Sequence, residues 1–474
     1  MFELSRAANV PLVDQIVERI TKLIRHGQLA DGARIPSIRK LAKLTGASPF
    51  TVVDAYDRLV ARGLLESRAG RGFFVAKARG AAAALPVIEA LPDPSSGAVA
   101  LAHASMSTRG EIIAAGSGFL PPSWYAEALP ANALARLAHA RRPQAWLPCP
   151  PQGIPELREQ LAARLVQRGI AVSPANIVTT FGTSQAFDLL ARILFAPGDV
   201  VLVEDPGYFV LFEQLRAHHV RLVPVPRRAN GPDLDALEAA CRAHRPRAFF
   251  VQTLLHNPTG TNTDPAVCHR LLSLAETYGF AVIEDDAYGD LYEGPGVRLA
   301  QIDGLRHVVY LGSFTKLVGP TLRLGFVAAD TRIIAQLLER KVLSVLSGSA
   351  LLESIVSEVL DSGRFLRHTQ LVRARLARMR RDARAALESA GVEFDETGGS
   401  EGIFLWGRVP QSVDVEALVR AARDRSILLA NGALFSPERA ANQRLRFSAP
   451  YSAAPELVRF LSEAIRSNGG PALN

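Results

Sequence analysis

Five apolar runs in this chain each end in a short polar string, and together the strings hold the side chains most able to do chemistry. IVTTF is followed by Gly182–Thr183–Ser184–Gln185, VVLVED by Pro206–Gly207–Tyr208, and AFFVQT by LLHNPTG with Asn257. FAVIE leads into Asp285–Asp286–Ala287–Tyr288, and VVYL into GSFTK, which carries Ser313 and Lys316 ahead of Arg323. The first string opens a helix, and backbone N–H groups at a helix N-terminus beside small hydroxyl residues make a phosphate cradle. Singly, each string is ordinary: N-P-T-G is a good turn, and an isolated lysine usually faces solvent. Their order along the chain carries the signal.

Such groups need a scaffold that brings strand ends together. IVTTF, VVLVED, VRLVPVP, AFFVQT, FAVIEDDAY, HVVYLGSF and RLGFVAA read as strands, with helical segments such as Gln185–Phe195 and Pro265–Tyr278 between them. Alternation of this kind predicts an α/β domain, a mostly parallel sheet with helices on both faces. Ligands of such sheets gather outside the carboxyl ends of the strands, where the five strings fall.

At 474 residues the chain is too long for one ordinary domain, and 48% hydrophobic with 21% charged residues reads as soluble and globular. The opening MFELSRAANVPLVDQIVERI sets acids among its apolar positions and lacks a signal-peptide core. No run of about 18 uncharged apolar residues suggests a membrane span. Cys149, Cys241 and Cys268 are odd in number and widely spaced, so neither a disulfide framework nor a metal site is suggested. Reduced thiols in a cytoplasmic protein are the expectation.

Charge is unevenly placed. Residues 1–80 hold 14 Lys and Arg against 7 Asp and Glu, a net +7 of the whole-chain +8, leaving +1 for the rest. A compact basic module on a near-neutral body is what binding to a phosphate backbone requires. Within it, residues 11–27 show an i, i+3, i+4 stripe (Val13, Ile16, Val17, Ile20, Leu23, Ile24) ended by Gly27. Ser37 caps a short helix that stops at Gly46. A further helix begins in ASPFTVVDAYDRLVARG, with Ser48 as N-cap and Pro49 at the first helical position. Two helices separated by a short Gly-containing turn form a helix-turn-helix, and LLESRAGRGFFVA reads as two strands around Arg68–Gly72. Residues 78–100, rich in Ala, Pro, Gly and Ser, read as a linker. The expected division is 1–77, linker 78–100 and 101–474.

From Pro11 to Val75 the module resembles the GntR-type winged helix-turn-helix, with nearly every helix and turn in register. The resemblance implies binding to double-stranded operator DNA, with Ser48–Arg62 as the recognition helix in the major groove. The implied DNA contacts are Arg34, Arg39, Ser48 and Thr51, with Arg71 and Gly72 on the wing. One departure stands out. Where the family often reads S-R-N-T-V, this chain has Ser48–Pro49–Phe50–Thr51–Val52 and so lacks the arginine that commonly reads guanine. Phe50 then either contacts a thymine methyl or simply packs.

Roughly residues 110–470 resemble the fold-type I, pyridoxal-phosphate-dependent aminotransferases, which implies a large α/β domain and a smaller α+β subdomain. By that resemblance Lys316 forms the Schiff base with the cofactor, and Asp285 holds a proton on its pyridine nitrogen. Burial that lowers an amine's pKa favours imine formation, and lysine suits that role. Asn257 and Tyr288 would bond the ring hydroxyl, and Tyr208 would stack on the ring. Gly182, Thr183, Ser184, Ser313 and Arg323 would hold the phosphate. Arg444, in RLRFSAPYS, aligns with the arginine that grips a substrate carboxylate, with Arg446 as the alternative. Pro148 stands where the family often has a tyrosine reaching the partner subunit's cofactor phosphate, and a proline donates no hydrogen bond.

The joined architecture resembles the MocR group of GntR-type regulators. It implies a homodimer whose aminotransferase-like domain senses the cofactor, an amine or an amino acid and shifts DNA binding. The alternative is a working aminotransferase carrying a DNA-binding module.

Overall fold

The computed structural model describes residues 11–76, 97–106, 112–129, 147–294, 296–396 and 398–468. The chain divides into two compact units, Met1–Leu91 and Pro92–Asn474. Most of the stretch read as a linker lies outside the described residues. From its end, Ala98–Met106 forms a helix whose Ala98 and Leu101 pack with Phe209 and Phe435 of the second unit.

In the first unit α1 (Leu12–Arg25), α2 (Ile38–Thr45) and α3 (Pro49–Ala61) precede an antiparallel hairpin of β1 (Leu65–Arg68) and β2 (Gly72–Val75). The stripe on α1 buries Ile16, Val17, Ile20 and Leu23. The Ser37 hydroxyl accepts from the Lys40 N–H and caps α2, which ends at Gly46 in the left-handed region at φ 67°. Ser48 caps α3 in the same way, accepting from the Thr51 N–H at 3.1 Å. Tyr56 on α3 is fully buried, donates to the Pro36 carbonyl at 2.7 Å and meets Phe73 edge-on at 4.9 Å. One ring therefore fixes α3 against both the segment before α2 and the hairpin. Its loss would cost about 3–5 kcal/mol, as for other buried aromatics cut to alanine.

The second unit rests on an eight-stranded sheet: β3 (Ile177–Thr180), β4 (Val200–Asp205), β5 (Arg221–Arg228), β6 (Gly231–Pro232), β7 (Ala248–Val251), β8 (Ala281–Asp285), β9 (Val308–Ser313) and β10 (Gly325–Ala328). Their order is β3-β10-β9-β8-β7-β4-β5-β6. Pairing is parallel from β5 through β4, β7 and β8 to β9. β10 runs antiparallel between β9 and β3, and β6 antiparallel at the edge. Alternate residues feed two cores. Phe249, Val282 and Val308 face one, while Phe250, Ile283 and Val309 face the other. Burial on both faces explains why these strands read as unbroken apolar runs.

A smaller antiparallel sheet has the order β11-β12-β14-β13, from β11 (Glu393–Phe394), β12 (Phe404–Arg408), β13 (Ala430–Asn431) and β14 (Arg444–Ser448). Leu405 and Phe447 of its strands pack with Leu387, Leu418 and Leu461 of the neighbouring helices. The segment holding Gly116 and Gly118 joins it, through Gly116 N–H to the Leu428 carbonyl and Ser448 N–H to the Ala115 carbonyl, both at 2.6 Å. Among the described residues, no helix is long and apolar enough to cross a membrane.

Candidate functional site

Asp285 closes β8. Its buried carboxylate accepts from Gln252 Nε2 at 2.8 Å and from the Ala287 N–H at 3.2 Å. Burial pushes it up to about 7 against the pull of these bonds. Gln252 Oε1 accepts from the Asn257 N–H at 2.8 Å, so one buried amide fixes Asp285 and the Asn257 loop together. Sequence reasoning did not single out Gln252. Its signal was present, a polar residue ending the apolar run AFFVQT.

Lys316 lies in the turn after β9. Its Nζ donates to the Gly118 carbonyl at 3.1 Å and stands 4.4 Å from the Phe119 ring centre and 5.4 Å from that of Tyr288. Loss of solvent, then the guanidiniums of Arg446 and Arg323, bring the ammonium down to about 7, with Asp285 opposing. A Cβ on Gly118 would stand 3.6 Å from Nζ and 3.8 Å from the Tyr288 hydroxyl, which places the three groups around one point. Tyr288 is buried and meets Phe404 edge-on at 5.3 Å. An amine whose charged form burial disfavours is equipped to attack a carbonyl carbon.

Of the two arginines left open by the sequence, the structure brings Arg446 to this point and Arg444 away from it. Arg446 is buried, donating to Asn257 Oδ1 at 2.8 Å and to the Gly116 carbonyl at 2.6 Å, with Phe404 and Phe435 rings at 4.4 and 4.8 Å. Its Nε is buried without a hydrogen-bond partner, and burial lowers the guanidinium to about 10. Arg444, two residues earlier and at the start of β14, pairs with Asp395 at 2.8 Å. Arg444 Nη1 is likewise buried without a hydrogen-bond partner, so the two guanidiniums differ in their neighbours: Asp395 for Arg444, Asn257 and Gly116 for Arg446.

Gly182 begins the helix Gly182–Leu194, with Thr183 and Ser184 in its first turn. At φ 71°, a Cβ on Gly182 would stand 3.1 Å from Arg323 Nη2, so the position favours glycine. Arg323 Nη2 also donates to the Phe181 carbonyl at 3.2 Å, and the Ser313 hydroxyl accepts from the Thr315 N–H at 3.2 Å. Tyr208 precedes the helix Phe209–Ala217. Burial raises its phenol to about 12, with Asp285 adding to the shift and Arg446 and Arg323 opposing it. Pro148 is exposed beside buried Cys149.

Behind Asp285 lies a charged network that the sequence did not announce. Asp286 accepts from Arg298 Nε at 2.7 Å and from the Tyr310 hydroxyl, while Asp290 pairs with Arg168 and with Arg164 at 3.0 Å. These contacts brace the turn that presents Asp285 and Tyr288.

In the first unit, α3 with its caps spans the expected recognition helix. Ser48 and Thr51 bond each other, hydroxyl to hydroxyl, at 2.9 Å. Arg34 pairs with Phe74 as an extra bridge on the hairpin, and its guanidinium lies 3.8 Å from where a Gly72 Cβ would be. Arg71 is exposed in the hairpin turn, and Arg39 is exposed in the first turn of α2. The structure thus joins Arg34 to Gly72 and Ser48 to Thr51, while Arg39 stands on α2.

Fold and site together define an aminotransferase-like domain of fold type I in a chain that also carries a winged helix-turn-helix. Comparison with known proteins agrees: the family "Aminotransferase class I and II", a pyridoxal-phosphate-dependent family, matches residues 121–463, and "Bacterial regulatory proteins, gntR family" matches 12–75. The chain belongs to the MocR-type regulators of the GntR family. It is 30% identical over 457 residues to the probable rhizopine catabolism regulatory protein MocR of Rhizobium meliloti, covering 90% of this chain and 87% of that one. It is 29% identical to the HTH-type transcriptional regulator YdcR of Escherichia coli, covering 89% and 91%. The 2-aminoadipate transaminase of Thermus thermophilus is 30% identical over 72% of this chain and 86% of its own length. The solved structure of LysN, the α-aminoadipate aminotransferase of that organism, superposes with a TM-score of 0.67 at 30% identity, covering 75% of this chain and 92% of LysN.

Proposed function

We propose that this protein is a pyridoxal-phosphate-binding transcriptional regulator. In this reading residues 1–77 bind operator DNA, 78–100 link, and 101–474 form a homodimeric sensor of the cofactor and a carboxylate-bearing amine. The observation that carries it is the bonded chain from Asp285 through Gln252 and Asn257 to Arg446, with Lys316 against Gly118 and Tyr288, in a chain that also holds a GntR-type winged helix.

The residues fit the cofactor. Gly182 leaves a cradle without a Cβ facing Arg323, beside the opening N–H groups of a helix, which suits a phosphate. Pyridoxal phosphate, when bound, supplies an electron-sink ring and a carbon reactive toward amines. Lys316 Nζ would hold it covalently, and the Asp285 carboxylate would keep a proton on the ring nitrogen while Gln252 fixes its position. Asn257 and Tyr288 would face the ring hydroxyl, Tyr208 the ring, and Gly182, Thr183, Ser184, Ser313 and Arg323 the phosphate. Arg446 Nε, buried and unpartnered, offers a charged donor to the effector's carboxylate.

A working aminotransferase is the second reading, favoured by the intact Lys316 and Asp285. Pro148 speaks against fast turnover, since it supplies no hydroxyl to a phosphate. Stopped-flow absorbance with amino-acid and keto-acid pairs, run beside DNA titrations, separates the two. The regulator reading expects slow turnover at best and DNA affinity that responds to the effector. Rapid multiple turnover with no effect of any substrate on DNA affinity would overturn it.

A further inference from the structure

Phe50 does not pack. It is 86% exposed, more than any other large apolar side chain among the described residues, at the second position of α3. Val53, one turn on, is 36% exposed, and Leu44 at the end of α2 is 56% exposed. The rest of that face offers little for hydrogen-bonded readout. Arg58, the one basic residue of α3, is held by Asp54 at 2.9 and 3.0 Å and by Asp14 at 3.0 Å. The Ser48 and Thr51 hydroxyls are engaged with each other in the cap. In the same unit Arg34, Arg39, Lys40, Lys43 and Arg71 are all exposed, in a segment that carries nearly all of the chain's net positive charge. An exposed apolar side chain on so basic a unit suits a groove walled by phosphates. A protein partner's apolar patch would leave those cations without counter-charges.

We propose that Phe50, with Val53 beside it, reads thymine 5-methyl groups in the major groove. Apolar contact then sets base preference at the N-terminal turn of α3, where Pro49 stands in place of the guanine-reading arginine. This rests on the DNA-binding reading of the first unit. Removing one buried methyl should weaken binding about 4-fold, the equivalent of one CH₂ transferred to water.

The test uses the full-length protein and a random duplex library at fixed salt. Enriched duplexes are resynthesised with deoxyuridine replacing thymine one position at a time, which keeps the base pair and removes only the methyl. Wild type should lose about 4-fold at one or two positions in each half-site. Phe50→Ala should bind thymine and uracil duplexes alike, with affinity for a scrambled duplex unchanged, and Phe50→Leu should keep part of the discrimination. Equal binding of thymine and uracil duplexes by wild type at every position overturns the proposal, as does undiminished discrimination by Phe50→Ala. A change in the oligomeric state of Phe50→Ala with discrimination intact assigns the patch to a protein contact and overturns it too. Failure of wild type to bind any duplex, scrambled included, defeats the DNA-binding reading itself and is distinct from all of these.

Discussion

Arg446 donates through Nη1 to the side-chain oxygen of Asn257 at 2.8 Å, tying β14 of the smaller sheet to the loop behind β7 of the larger one. A carboxylate entering beside that guanidinium meets a donor, Nε, that has no partner. Arg446→Met should therefore weaken binding of carboxylate-bearing amines by about 10- to 100-fold, the range for hydrogen bonds to charged groups. Arg444→Ala should leave affinity within about 2-fold, since its partner is Asp395. Absorbance titration with an amino acid and with its decarboxylated amine checks both, because Arg446→Met should treat the two ligands alike.

Lys316→Ala should abolish any pyridoxal-phosphate linkage that borohydride can trap, leaving weak reversible binding through the phosphate cradle. Mass spectrometry of the reduced, digested protein reads the result. A trapped adduct of equal yield in the variant would show that another amine holds the cofactor.

The Lys316 amine titrates near 7 in the folded chain against 10.5 ordinarily. Between those values the unfolded chain binds more protons than the folded one, so this side chain's contribution to stability rises with pH across that window and is poorest below it. Apoprotein Lys316→Met should melt higher than wild type at pH 7, and the gap should narrow as pH climbs toward 10. Asp285, raised to about 7, runs the other way: its burial weighs on the fold increasingly as pH climbs from the ordinary carboxylate range to 7. Asp285→Asn should remove that slope. Thermal melts of the apoproteins across the pH range decide both.

Gln252→Leu removes both bonds of the amide that joins Asp285 to Asn257. Leaving two buried polar groups unsatisfied should cost about 1–3 kcal/mol each. Cofactor affinity should fall with it, while Gln252→Glu, which keeps the acceptor toward Asn257 but sets a second carboxyl against Asp285, should lose more stability as pH rises. Chemical denaturation and cofactor titration check the two effects separately.

On DNA, Arg39→Ala and Thr51→Ala should each weaken binding to an enriched duplex by about 1–3 kcal/mol if they contact bases or orient α3. Arg71→Ala, if it meets only phosphate, should weaken all duplexes alike and reduce the slope of affinity against salt by about 1. Gel-shift titrations at several salt concentrations separate the cases. If ligand and DNA are linked, each should change the other's affinity by one common factor, on the order of 5- to 150-fold.

The strands were legible because burial on both faces leaves runs such as AFFV and VVYL without a polar interruption, and the helices of the first unit because caps and stripes coincide at Ser37, Ser48 and Gly46. Lys316, Asp285 and Asn257 were legible as polar residues behind those runs. Arg446 was harder. Arg444 and Arg446 share a strand face, and only the third dimension shows that Asp395 engages the first. The Asp286 and Asp290 network was hidden because two of its arginines, Arg164 and Arg168, come from a segment more than a hundred residues away. Phe50 was ambiguous since an aromatic residue in a helix reads as core until its exposure is seen.

The electrostatics around Lys316 reach beyond chemistry to how long the protein survives in a cell. The chain holds a buried amine under the influence of two guanidiniums, with a carboxyl that resists ionising. A ligand that binds only the folded form adds stability in proportion to its supply, about 2.7 kcal/mol at a hundredfold excess over its dissociation constant. Proteases cut the opened form, so, if the proposed cofactor is bound, a chain starved of it would be the one cleared first. Cofactor scarcity would then lower the number of regulator molecules as well as the fraction loaded, and the two losses would multiply at the promoter.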